Sequence, residues 1–202
     1  MKIKITILGE KPSNRKLKII FIASTILLFA SASTVIQLLE SSRFPGELEK
    51  TQLGFDAEYI RDCFNSMNDQ GLSRFILGNL VDYLFMASYG GFFFSIVLLV
   101  TRKLNETSIS REIGYIISLL GLSAAIGDGL ENIFLLSMAS NPVSFPAWLA
   151  FYHSLFAHIK FKLMYLTAGW ITIVSLYLVS AWILNSKWII TMLGGLNEQI
   201  ET

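Results

Sequence analysis

Three carboxylates interrupt long apolar stretches of this 202-residue chain: Asp82 within 75–101, and Asp128 and Glu131 within 113–138. An ionisable side chain in hydrocarbon is costly unless it is paired or hydrated, so all three are candidates for function. Asn79 precedes Asp82 by three residues and shares its side of a helix. Asp128, Glu131 and Asn132 fall at i, i+3 and i+4 and form one stripe. His158, Lys160 and Lys162 stand at the entry to a further apolar run. Carboxylates in unequal surroundings can act as general acid and base. With an imidazole they offer hard ligands to a cation or a relay for protons. With a lysine they form buried ion pairs that fix helix register.

Depth brings these groups together. Asp82 lies seven residues into its run, roughly 10 Å at helical rise. Asp128 comes sixteen residues after Glu112 in the next, antiparallel run, roughly 24 Å along. Both therefore reach the same half of a bilayer, with Glu131 and Asn132 a little beyond and His158, Lys160 and Lys162 entering the same band. Three readings follow: a structural ion-pair network, a polar pocket for an ionic headgroup or other amphiphile with a lipid-modifying activity as its extension, and a cation or proton site. The leading expectation is the pocket, built from Asn79, Asp82, Asp128, Glu131, Asn132, His158, Lys160 and Lys162. The spacing is diagnostic of no metal, and no cofactor is assigned.

The elements that position these groups are legible from composition. The chain is 53% hydrophobic and 15% charged, well below the roughly 25% charged residues of soluble domains. A helix needs about 20 apolar residues to cross a bilayer, and four stretches qualify: 19–39, 75–101, 113–138 and 163–185. The expected fold is all-α, an integral four-helix transmembrane bundle in one domain. The first run is longer than the apolar core of a signal peptide and is read as a retained span. A single cysteine, Cys63, excludes an intrachain disulfide, a CxxC redox pair and a cysteine zinc cluster.

Orientation follows from lysine and arginine near the span ends. Lys2, Lys4, Lys11, Arg15, Lys16 and Lys18 precede the first span, and Arg102, Lys103 and Arg111 join the second to the third. Both segments are expected inside, with N- and C-termini cytoplasmic and the connections 40–74 and 139–162 outside. Within the first outer connection, Phe55, Tyr59, Ile60, Phe64 and Met67 recur at helical spacing beside Asp56, Arg61 and Asp62, which predicts a short amphipathic helix on the outer membrane face. A helix running from Ala147 to Asn185 would be about 58 Å long, so a bend or protruding turn is expected near His158. His153 is expected at the interface, and the apolar residues Trp188 to Leu193 to extend the last helix or lie along the inner face.

The segments Phe44-Pro45-Gly46 with Leu48-Glu49, Asp82 with Phe85, Asp128-Gly129-Leu130-Glu131-Asn132 and Phe161-Lys162 resemble those of a group of small bacterial four-span membrane proteins. The resemblance implies the four-span topology, a bacterial inner-membrane location and the polar cluster; it implies no activity. Expected partners are the lipid bilayer, an amphiphilic ligand, and a second copy or another membrane protein. No nucleic acid is expected.

Overall fold

Capping side chains set the helix boundaries in the computed structural model, which describes residues 5–184. After a short 3-10 turn at Ile5–Gly9, α1 (Asn14–Ser42) opens on Ser13, whose hydroxyl accepts from the Lys16 amide at 3.4 Å. It closes on Arg43, whose backbone is left-handed at φ 53°. Pro45 and Gly46 lead into α2 (Leu48–Leu53). Asp56 caps α3 (Ala57–Asn65) by accepting from the Tyr59 amide at 3.0 Å. Asn68 does the same for α4 (Asp69–Thr101), accepting from Gly71 at 2.7 Å, and Ser108 for α5 (Ile109–Ser140), accepting from Arg111 at 3.2 Å. Each cap satisfies an amide that has no partner inside its helix. α6 (Ala147–Leu184) starts directly after Pro146.

Four of these helices, α1, α4, α5 and α6, are long and apolar enough to cross a membrane. Their burial pattern departs from that of a soluble bundle: Ile26, Phe29 and Ile173 face outward, while Ser95, Ser118, Glu131 and Thr167 are buried among apolar side chains such as Val97, Leu98 and Met138. Lys187 and the apolar segment from Trp188 to Leu193 lie outside the described residues.

α4, α5 and α6 pack on one another, and α1 lies along α4 on the flank. α1 and α6 do not pack along each other. The close approach of α4 and α5 uses the small residues of α5. A Cβ added at Gly90 would sit 2.8 Å from the Ala125 Cβ, and one at Gly121 would sit 2.8 Å from the Phe93 Cβ. The row Gly121, Ala125 and Gly129 is thus a helix-contact face, as its spacing implies.

Two expectations change. α6 is one unbroken helix of 38 residues through His158; no proline or glycine precedes Gly169 to interrupt it. It also absorbs most of the second connection, leaving 141–146 as the link. The helix expected on the membrane face is present as α3, but its apolar residues turn toward the bundle. Ile60 and Phe64 are buried, and Phe64 sits between Phe44, Phe75 and Phe145 with ring centroids 6.0, 5.5 and 6.5 Å away. Arg61 donates to the Phe145 carbonyl at 3.0 Å. Bundle ends expose helix-terminal apolar side chains, and α3 covers them with one face while Asp56, Glu58 and Asp62 stay exposed on the other.

Candidate functional site

Each long core helix delivers its polar groups by its own periodicity. On α4, Asn79, Asp82 and Tyr89 lie at i, i+3 and i+10, one face of a 3.6-residue helix. On α5, Asp128, Glu131 and Asn132 occupy the stripe expected from spacing. On α6, the buried residues Ala150, His153, Ala157, Lys160 and Thr167 recur at intervals of three, four, three and seven, and that stripe carries Lys160 inward.

Lys160 joins the two carboxylates of α5. Its Nζ lies 2.7 Å from Asp128 Oδ1 and 2.6 Å from Glu131 Oε2. The Tyr89 hydroxyl donates to Asp128 Oδ2 at 2.9 Å. Asn132 Nδ2 donates to Asp82 Oδ2 at 3.0 Å and to the Asn79 carbonyl at 3.3 Å. His153 Nδ1 lies 3.3 Å from the Glu131 backbone carbonyl, which can only accept, so this nitrogen carries the proton. Glu131 and His153 are fully buried, and Asp128, Lys160 and Asn132 are nearly so. Glu131 Oε1 and His153 Nε2 make no hydrogen bond among the described residues. The network holds three carboxylates against one ammonium.

A cavity of about 450 Å³ opens beside this network. Its polar floor is Asp82, Asp128, Asn132, Asn79 and Lys160; its apolar walls come from Val35, Ile36 and Leu39 of α1, Phe75 and Phe85 of α4, and Leu135 of α5. α2 bounds one end through Leu48, Thr51 and Gln52, and Glu40 stands at the edge. Pockets that take small ligands combine such apolar walls with a few convergent polar groups, in volumes of roughly 300–1,000 Å³.

Not every candidate side chain joins. Asn79, Asp82, Asp128, Glu131, Asn132 and Lys160 come together, with Glu131 behind Lys160 rather than on the cavity wall. His158 and Lys162 line a separate groove between α2 and α6, where His158 stacks on Phe55 at 5.3 Å. Among the described residues, no group of three or more His, Cys, Asp or Glu is arranged to hold a metal ion. Sequence reasoning did not single out Tyr89, which bonds Asp128, and it placed at the interface His153, which is buried. The available signal was the seven-residue interval, two helical turns, separating Tyr89 from Asp82 and His153 from Lys160.

Tyr89 tests the network directly. Tyr89→Phe removes a hydrogen bond to a buried carboxylate, expected to cost about 1.5–3 kcal/mol, seen as a lower unfolding midpoint in detergent. An unchanged midpoint would mean that Asp128 does not depend on this hydroxyl.

The fold and the buried charges fit a multi-pass helical membrane protein. No protein family, no curated protein and no solved structure matches the chain.

Proposed function

We propose that this protein binds an amphiphilic ligand in the cavity beside the Lys160 network. The observation that carries the reading is the cavity's division into a charged floor and apolar walls. At about 30 Å³ per small heavy group, judged from the volume of a water, the cavity holds roughly fifteen non-hydrogen atoms. That suits a headgroup and the first part of a chain. The rest of a longer tail would leave between α1 and α6, which do not pack along each other, and continue into the bilayer.

The lysine and arginine distribution supports a cytoplasmic position for both termini, and the resemblance to small bacterial four-span proteins supports a bacterial inner membrane. The cavity then belongs to the outer half of the bilayer, with α2 and α3 at the outer interface and the exposed acidic face of α3 toward water. The directly paired charges favour a second, concurrent role: Lys160 holds α5 and α6 in register, while the adjoining cavity receives the ligand.

Native mass spectrometry of the full chain released from mild detergent tests the reading. The unaltered protein is expected to carry an amphiphile adduct. Val35→Trp fills the cavity from α1, where Val35 is buried on its wall, and is expected to lose the adduct while still eluting as a folded species. Absence of any adduct, or equal occupancy in the variant, would defeat the proposal.

A further inference from the structure

We infer that the headgroup recognised in this cavity is cationic, an ammonium held by Asp82 and the side-chain carbonyl oxygens of Asn79 and Asn132; the inference rests on the amphiphile-binding reading above.

The balance of donors and acceptors at the floor carries it. Lys160 is engaged by Asp128 and Glu131 at 2.7 and 2.6 Å. Both Asp128 oxygens are occupied, by Lys160 and Tyr89. Asn132 directs its amide nitrogen to two acceptors, Asp82 Oδ2 and the Asn79 carbonyl, so its side-chain oxygen must be the free end. Asn79 directs its own amide nitrogen to the Phe75 carbonyl at 2.8 Å, which fixes its oxygen in the same way. Asp82 Oδ1 and these two amide oxygens accept from no described group, although Asn79 and Asn132 are only 6% and 3% exposed and line the cavity. These oxygens are open to the cavity rather than sealed in the packing, so a ligand's donor can reach them there.

Charge points the same way. The cavity is lined by Glu40, Asp82 and Asp128 against Lys160 alone, with Glu131 directly behind the lysine. An anionic headgroup would have to displace a carboxylate from Lys160 while facing Asp82. An ammonium meets a carboxylate and two carbonyl oxygens without disturbing any existing pair, in a site where low polarity strengthens the attraction.

The test is thermal unfolding of the full chain in dodecyl maltoside, an uncharged detergent. The probes are dodecylammonium, dodecanoate, dodecanol and, as a headgroup without a tail, methylammonium. Dodecylammonium is expected to raise the midpoint at a concentration at least about tenfold below any other probe, and Asp82→Asn to erase that advantage. Glu40→Gln, on the exposed rim, leaves the buried network untouched and is expected to weaken dodecylammonium about two- to threefold. Equal stabilisation by dodecanoate or dodecanol overturns the cationic headgroup and leaves amphiphile binding standing. Equal stabilisation by methylammonium makes the ligand a free cation and overturns amphiphile binding instead. If no probe moves the midpoint of the unaltered chain, both fall together.

Discussion

Replacing Lys160 with methionine is expected to cost the fold about 3–5 kcal/mol, the penalty for removing one partner from a buried charge pair. Methionine nearly preserves the volume and reach of the lysine stem, so the loss is electrostatic rather than a cavity. Asp128 and Glu131, 5% and 0% exposed, would be left facing each other without their shared ammonium. Glu131 is the more exposed to this loss in energetic terms, because Lys160 is the cation beside Oε2 and its other oxygen has no hydrogen-bond partner. Neutralising the carboxylates should rescue the variant: Lys160→Met combined with Asp128→Asn and Glu131→Gln is expected to recover most of the lost stability, since amides tolerate burial better than unpaired charges. The measurement is the yield of monodisperse protein on size exclusion, together with its unfolding midpoint. A single variant as stable as the parent, or a triple variant worse than the single, would remove the ion pair from its assigned role.

That prediction depends on choosing Lys160 over Lys162, a choice that spacing along the chain leaves open. The two lysines project about 200° apart on a helix at 3.6 residues per turn, so at most one can enter the bundle. What decides is the rest of α6: Ala150, His153, Ala157 and Thr167 define the buried face, and Lys160 lies on it. The four apolar runs were legible because lipid-facing positions must be apolar for about 20 residues at a time. The stripe of Asp128, Glu131 and Asn132 was legible because three polar groups in hydrocarbon stand out against their neighbours. Tyr89 and the α1 wall were not. A tyrosine among Phe85, Phe92 and Phe93 looks like packing until Asp128 is known to lie across from it, and Val35, Ile36 and Leu39 differ in no way from lipid-facing residues of the same helix. Contacts between helices far apart in sequence leave no mark on the local pattern of either.

The same gap explains α3, whose alternation of apolar and charged residues fits equally a helix floating on a membrane and one capping a bundle. Phe64→Ala separates the two. As a cap residue, Phe64 is 2% exposed and packed among three phenylalanine rings from the α1–α2 link, α4 and the α5–α6 link. Truncating it there is expected to cost about 3–5 kcal/mol, the range for a buried phenylalanine. The loss should not be confined to α3, because Phe75 lies both in this aromatic cluster and on the wall of the cavity beside Lys160. Phe64→Ala is therefore expected to lower the unfolding midpoint of the whole protein and to reduce adduct occupancy in native mass spectrometry. Phe64→Leu, which retains most of the apolar volume, should recover the larger part of both. A membrane-lying helix predicts the opposite: the alanine variant would weaken contact with lipid vesicles while leaving the bundle's midpoint in detergent unchanged, and that result would detach α3 from the fold.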